Sequence, residues 1–387
     1  MDDMNETMKG YVYRLKPTTK QIDLIQQTFG CVRKMWNMLL LERKSIYALY
    51  GKYPELLNSH DYLNPKRIKE EFPYMYDVDS QSLTTAWLHL KQAYSNFFNK
   101  SHDEPKYKSR HNLIQSYTTH TINDNIRLEG SYLKLPKLGL VKINLHRALP
   151  QGSILKAATI KKDGKHYYVS LRVEYSHITQ PVKALEKAIG LDYTLQGLYM
   201  DSEGHKADYP NYYKESLKKL KKEQRILSRR VKESSNYLKQ KEKLSTLHLH
   251  IKNQRKDFLH KASRYLVNTY DLISVETLDL TEMAKTKHFR KSMSDTSFGL
   301  FTRYLEYKTK DEGKTLVKID QYYPSTKTCS QCGRERDIKL SERTYNCTCG
   351  HVMDRDLNAA INIGVQGLIA YVTKAYGTDA IAWSINR

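Results

Sequence analysis

No stretch of this 387-residue chain approaches the ~18 consecutive apolar residues that a membrane-spanning helix requires. Nor does it open on a positively charged segment followed by an apolar one, the pattern of an export leader. Both absences argue against a membrane protein. Internal repeats and low-complexity tracts are missing, and the fourteen histidines show no paired spacing that argues for catalysis. Acid is in deficit: 42 Asp and Glu stand against 64 Lys and Arg, a net charge of +22 and a pI near 9.5. Such an excess calls for a polyanionic partner, and with the membrane set aside it predicts nucleic acid. The 30 tyrosines fit that expectation, because aromatic rings among lysines can stack on unpaired bases, although many must serve the core.

Cysteine is scarce as well, and four of the five cluster. Cys329-x-x-Cys332 is followed, fourteen residues on, by Cys347-x-Cys349. Two close pairs across a loop are what a tetrahedral Zn²⁺ needs, each pair forming one knuckle of a closed structural site. One structural Zn²⁺ on Cys329, Cys332, Cys347 and Cys349 is therefore expected. Cys31 reads as a small packed hydrophobe. Clustered zinc-type cysteines suit a reducing cytosol rather than a disulfide-bonded secreted protein, so the expected location is cytoplasmic.

The length allows two to four domains, each with its own core. Gly10 to Leu15 is strand-like, and Pro17-Thr18-Thr19 starts a helix with Ile22, Ile25 and Phe29 on one face. A second helix is expected from Met35 to Tyr50, and a third carries Leu83, Trp87, Leu90, Tyr94 and Phe97 at helical steps. From Lys106 to Tyr175 the period changes to two, with Asp163-Gly164 as a hairpin turn. That region reads as a small β-barrel or curled sheet. Pro181 to Glu186 resembles a linker. Ala188-Ile-Gly-Leu-Asp192 then reads as a strand ending on an acid, Tyr213 to Tyr270 as a long lysine-rich helical stretch, and Asp271 to Glu276 as a second strand ending on an acid. Another helix is expected from Ser297 to Glu312 and a third strand from Thr315 to Tyr322.

Strands alternating with helices predict a parallel or mixed α/β sheet, where functional groups gather at strand ends. Asp192 and Glu276 each follow an apolar run, and Asp356 begins a helix containing Ala359, Ala360, Ile361 and Ile363. Three converging carboxylates would offer Mg²⁺ the hard oxygen ligands it prefers, although each acid taken alone could be a solvated strand end or a helix cap.

These motifs together resemble the TnpB family of transposon-encoded RNA-guided DNA nucleases, ancestral to type V CRISPR effectors. The resemblance rests on Ala188-Ile-Gly-Leu-Asp192, Ile273-Ser-Val-Glu276, Ser325-Thr-Lys-Thr-Cys329-Ser-Gln-Cys332-Gly and Asp354-Arg-Asp-Leu-Asn-Ala-Ala-Ile-Asn. Tyr13-Arg14-Leu-Lys-Pro17, Phe29-Gly-Cys31-Val-Arg33 and Asn253-Gln-Arg255-Lys-Asp257-Phe-Leu-His260 extend it over nearly the whole chain. It implies a multidomain α+β protein in which a helical domain and a β-barrel precede an RNase H-like (RuvC) α/β nuclease domain with an inserted zinc ribbon. The implied boundaries are a tail at 1–8, a first barrel strand at 9–12, a helical recognition domain at 13–105 and a β-barrel at 106–180. The nuclease domain follows at 181–325 and 353–387, with the ribbon at 326–352.

The resemblance makes Asp192, Glu276 and Asp356 the catalytic acids, jointly holding two Mg²⁺ ions. It leaves Asp354 as a cap or a group behind the ligands, with the alternative assignment to Asp354 open. The one-residue gap of Cys347-x-Cys349 departs from the family's usual two, so His351 stands as an alternative zinc ligand. Implied partners are a guide RNA transcribed from the transposon end and double-stranded target DNA, bound by a monomer that is nucleoid-associated when on DNA. Arg14, Lys16, Arg33, Lys34, Lys106 and Lys108 are candidate phosphate contacts, and Gln81, Thr84 and Thr85 candidate readers of a short target-adjacent motif. The competing readings are an RNA-guided repressor with a dead nuclease, a transposase joining DNA strands, and a compact CRISPR effector. The repressor reading expects a replaced acid, and all three are present.

Overall fold

The computed structural model describes residues 4–51, 65–112, 114–178, 185–194, 197–279, 297–339 and 342–376. The chain divides into two compact units, Asp2–His177 and Ile178–Arg387. No described helix is long and apolar enough to cross a membrane.

The first unit opens with β1 (Met4–Lys16), which runs past the expected 9–12 at both ends. Its alternation explains the extension: Tyr11, Tyr13 and Leu15 are buried while Val12, Arg14 and Lys16 face out, the period of a half-buried strand. Helix α1 (Thr19–Tyr50) follows, started by a reciprocal capping box between Thr18 and Gln21. Gln21 Nε2 also donates to the carbonyls of Leu138 (3.2 Å) and Leu140 (2.9 Å), fixing the helix start against the sheet. Two helices were expected here, but one helix of 32 residues forms. The buried stripe Ile25, Phe29, Val32, Trp36, Leu39, Leu40 and Ile46 passes Gly30 without a break, and no proline interrupts it.

After α2 (Pro65–Glu71) and a 3-10 turn at Pro73–Asp77 comes α3 (Ser80–Phe98). Its cap is the Asp79 carboxylate, which accepts from the backbone amides of Gln81 and Ser82. Strands β2 (Ile114–His120), β3 (Arg127–Glu129), β4 (Tyr132–Leu135), β5 (Gly139–Asn144), β6 (Ile154–Asp163) and β7 (His166–Ile178) join β1 in one sheet, ordered β2-β6-β7-β1-β5-β4-β3. The described pairings leave β2 and β3 as its two ends. The β6–β7 hairpin turns at Gly164 (φ 58°), as Asp163-Gly164 predicts. Helices and sheet share one core, with Phe29 of α1 edge-on to Tyr117 of β2 at 5.7 Å.

The second unit contains β8 (Ala188–Tyr193), β9 (Tyr199–Asp201), α4 (Tyr212–Ser228), α5 (Ser235–Thr269), β10 (Leu272–Glu276), α6 (Phe298–Asp311), β11 (Thr315–Ile319), β12 (Thr344–Asn346), β13 (Val352–Asp354) and α7 (Arg355–Tyr376). The lysine-rich stretch is a pair of helices rather than one. Glu233, at φ 69°, turns the chain, and the Ser234 hydroxyl caps α5 by accepting from Tyr237 N. The sheet order is β11-β10-β8-β9, with β8, β10 and β11 parallel and β9 antiparallel to β8.

Alternation sorts the two faces of this sheet. Ile189, Leu191, Ile273 and Val275 pack on Leu259, Leu266, Phe301 and Leu305. Gly190 and Ser274 face α7 instead. A Cβ on Gly190 would lie 2.1 Å from the Ala360 carbonyl oxygen and 2.4 Å from Gly364 N, and one on Gly367 would lie 1.9 Å from Ser274 Oγ. Helix α7 therefore rests with its backbone on the Gly190 backbone and on the small Ser274 side chain. Gly190→Ala is expected to lower unfolding stability by about 3 kcal/mol or more, since backbone rather than a movable side chain blocks the methyl. Denaturant unfolding of the purified chain measures it, and wild-type stability in the variant would refute the close approach.

Candidate active site and metal centre

Two residues beyond Gly190 and Ser274, on the same face, stand Asp192 and Glu276. The pairing Val275↔Leu191 makes Glu276 and Asp192 the next neighbours along two parallel strands, both at carboxyl ends. Asp192 is 6% exposed. Glu276 Oε1 accepts from Tyr193 N at 3.1 Å. Helix α7 begins beside them and carries Asp356 in its first turn.

The Asp192 carboxyl is pushed well above the usual range by burial and then by the charges of Glu276 and Asp356, with Arg355 opposing. Burial lifts Glu276 to about 7, against the pull of the Tyr193 amide. A cation beside such crowded carboxylates would favour their ionised form. Hard oxygen donors in that condition fit a divalent ion of the Mg²⁺ kind. Both raised groups hold protons in the folded state that they release when unfolded, so their contribution to metal-free stability is greatest below about pH 4.5 and is lost as pH rises through about 7. Thermal midpoints in magnesium-free buffer should therefore drop between about pH 5 and pH 8, and Glu276→Gln should flatten that drop. A midpoint independent of pH in the parent chain would refute the crowding.

Within the Asp354-Arg355-Asp356 triplet the three side chains differ in their contacts. Asp354 Oδ1 accepts from the backbone amides of Asp356 (2.9 Å) and Leu357 (3.1 Å), the geometry of an N-cap. Arg355 lays Nε (3.3 Å) and Nη2 (3.1 Å) on Asp356 Oδ1 and sends Nη1 to the Glu342 carbonyl at 3.0 Å. Its backbone amide donates to the Arg343 carbonyl at 2.9 Å. Arg355 thus ties the start of α7 to the chain leading into β12.

The four clustered cysteines bring their sulfurs within 4.8 Å of one another, the one such group of metal-ligating side chains among the described residues. Cys329 and Cys349 sulfurs are 3.8 Å apart and those of Cys332 and Cys347 are 3.6 Å apart. A tetrahedron with metal–sulfur bonds of about 2.3 Å has edges of about 3.8 Å, so the set fits Zn²⁺. The Cys349 backbone amide and neighbouring thiols draw Cys347 down to about 6, toward the thiolate that binds metal. Both knuckles close on left-handed glycines, Gly333 at φ 71° and Gly350 at φ 90°, and Gly350 N bonds the Cys347 carbonyl. That turn accommodates the one-residue gap. His351 lies outside the cluster: its Nε2 is 3.2 Å from Ser330 Oγ.

Two buried amides connect this cluster to α7. Asn358 Oδ1 accepts from Ser330 N (2.9 Å), and its Nδ2 donates to the Thr328 carbonyl (2.7 Å). Asn362 Nδ2 donates to the carbonyls of Ser325 (2.8 Å) and Thr328 (2.7 Å). The first cysteine knuckle is therefore fastened to the helix that carries Asp356. In sequence, Arg355, Asn358 and Asn362 stand out only as members of the Asp354–Asn362 motif, with no role attached. The signal was two amides one helical turn apart among Ala359, Ala360 and Ile363, where polar groups are out of place unless bonded.

In the first unit, Arg14 and Lys16 occupy the outward face of β1, and Arg14 Nη2 is 2.8 Å from His166 Nδ1. Arg33 and Lys34 are half-buried on α1. Trp36 Nε1 donates to the Lys106 carbonyl, and Asn37 bonds both backbone groups of Lys108, placing Lys106 and Lys108 beside α1. Gln81 and Thr84 are half-buried on α3, whereas Thr85 is buried at 2% exposure with its hydroxyl on the Gln81 carbonyl. Thr85 shares the inward stripe with Ser82 and Ala86, so it is not a surface reader.

Comparison with known proteins places this arrangement among relatives. Family profiles described as "Probable transposase", "Cas12f1-like, TNB domain" and "Helix-turn-helix domain" match residues 169–287, 298–363 and 4–52. Over the described part of that last segment the chain forms one strand and one long helix. A protein of Streptomyces pristinaespiralis named "Putative RNA-guided DNA endonuclease" is 34% identical, over 95% of this chain and 91% of its own length. The similarly named InsQ of Escherichia coli (strain K12) is 28% identical over 93% of this chain and 92% of its own. Among solved structures, the protein of a Cas12f1-sgRNA-target DNA complex aligns with a TM-score of 0.57 at 12% identity, covering 93% of this chain and 99% of that one. That likeness concerns the fold alone.

Proposed function

This chain belongs to the TnpB family, and on that premise we propose that it is an RNA-guided DNA endonuclease cutting beside a short target-adjacent motif. The observation that carries the reading is the pairing of Asp192 and Glu276 at the ends of two parallel strands, both carboxyls raised, with the charge of Asp356 acting on Asp192. The names of the relatives support the same activity.

Asp192, Glu276 and Asp356 would hold two Mg²⁺ ions, which when bound supply activation of the attacking water and neutralise charge at the leaving 3′ oxygen. The chain's own residues prepare that seat. Burial of Asp192 keeps bulk water from screening the site. Asp354 sets the pitch of the first α7 turn, and Arg355 holds the Asp356 carboxylate in a fixed direction. The zinc ribbon fixes where that turn begins. Sequence is read by base pairing between guide and target, while Arg14, Lys16, Lys106 and Lys108 hold phosphates in a monomeric cytoplasmic complex.

The decisive experiment sequences the RNA that co-purifies with the chain, rebuilds it with a new guide segment, and assays plasmid cutting in magnesium. Cutting that follows the new guide is expected. Because phosphate contacts dominate, guide affinity should fall steeply with salt, each lost contact lowering the slope by about one. No co-purifying RNA, or cutting indifferent to guide sequence, would overturn the reading.

A further inference from the structure

In the first unit, a cleft of about 560 Å³ opens along α1, lined by Gln27, Gly30, Arg33 and Lys34 with Tyr74 at its mouth. That volume lies within the range of small-molecule sites, ~300–1,000 Å³. No carboxylate of the described residues lines it. The half-buried Arg33 has no hydrogen-bond or ion-pair partner among the described residues. The Lys34 ammonium lies 3.3 Å from the Phe72 ring centre and 5.8 Å from that of Tyr74, contacts that hold it without neutralising its charge. Asp77 is near enough to raise the Cys31 thiol but is exposed and outside the lining. Two positive charges thus face one cavity whose lining, among the described residues, holds no acid.

The remaining polar groups narrow the ligand further. Asn37 also lines the cleft but spends both ends of its amide on Lys108. The Gln27 amide has no partner among the described residues. The Tyr74 ring is 45% exposed. The floor is open because Gly30 has no side chain: a Cβ there would meet only Arg33 Nη2, at 3.9 Å. A bare anion would use the two cations and leave the amide and the ring idle. A nucleotide uses all of them, its phosphate on Arg33 and Lys34, its base edge on Gln27 and its base face on Tyr74. A paired base would hide both edge and face, so the base must be unpaired.

We propose that this cleft takes a single unpaired nucleotide of the bound nucleic acid, an inference that rests on the RNA-guided reading. The test measures binding of the full chain to three probes at fixed salt: a single-stranded RNA, the single-stranded DNA of the same sequence, and the corresponding DNA duplex. Gly30→Leu fills the floor, keeps both cations and favours the helix. It should weaken single-strand binding about tenfold, the scale of one lost base stack, with the salt slope unchanged. Duplex binding should stay within about twofold, because phosphates outside the cleft carry it. Arg33→Ala should lower the salt slope by about one. Should Gly30→Leu not fold, Tyr74→Ala removes the exposed stacking ring and is expected to show the same tenfold loss. Loss confined to RNA assigns the nucleotide to the guide, and loss on both single strands assigns it to any unpaired strand. Equal weakening of the duplex would make the cleft a backbone phosphate seat and overturn the proposal. Wild-type binding by both Gly30→Leu and Tyr74→Ala would also overturn it and leave the functional reading standing. Failure of the parent chain to bind any probe would overturn the functional reading itself.

Discussion

Asp192→Ala, Glu276→Ala and Asp356→Ala should each lower guided DNA cutting roughly a thousandfold or more, the rate equivalent of several kcal/mol of transition-state stabilisation. Each carboxylate supplies negative charge that holds a divalent cation against its strong hydration, and a methyl group cannot replace it. Asp192 and Glu276 sit abreast at the ends of β8 and β10, and the charge of Asp356, in the first turn of α7, reaches Asp192. Removing one therefore opens a gap that the other two do not fill. Guide and target binding should survive, because the acids occupy strand ends rather than the basic surfaces of the first unit. Asp354→Ala should be milder, costing a cap of about 1 kcal/mol. The measurement is cleavage rate beside filter-binding affinity for each variant. Near wild-type cutting by Asp356→Ala with a dead Asp354→Ala would reverse the assignment within the triplet, and cutting by all three primary variants would end the nuclease reading.

Loss of zinc should be the second large effect. Cys329→Ser, at a sulfur that is 2% exposed, should empty the site, unfold the ribbon and abolish cutting while RNA still binds. The scale follows from the coupling of metal binding to local folding, ~10–16 kcal/mol for structural zinc. The path to the acids is specific. The Cys329 knuckle is held by Asn358 and Asn362, and the ribbon's second half leads through β13 directly into Asp354 and Arg355. Asn358→Ala should retain zinc yet cut poorly, because the knuckle folds but is no longer fastened to α7. Zinc content by atomic emission, read beside cleavage rate, separates the two cases. A zinc-free Cys329→Ser chain that cuts normally would show that the ribbon does not place Asp356.

The cysteine spacing, the apolar runs ending on Asp192 and Glu276, and the Asp354-Arg-Asp triplet are local patterns. Zinc ligation and strand alternation each impose a short-range period, so ligand set, strand ends and helix start were legible in one dimension. The turn at Asp163-Gly164 was legible for the same reason, since a tight hairpin needs a left-handed residue at a fixed place. Local pattern misled where continuity is a tertiary matter. Two helices are expected between Pro17 and Tyr50, yet one continuous buried stripe carries α1 through the whole span, and Thr85 looks like a surface hydroxyl until α3 turns it inward. Asn358, Asn362 and Arg355 could not be assigned from sequence because their partners lie as many as 37 residues away. What the sequence determined by itself was which atoms are available for metal, phosphate and base. The tertiary structure alone decided which of them meet, because α7 lies on Gly190 and Ser274 only where two strands present surfaces small enough for its backbone to approach. That contact brings the start of α7, with Asp356, to the end of the sheet where Asp192 stands.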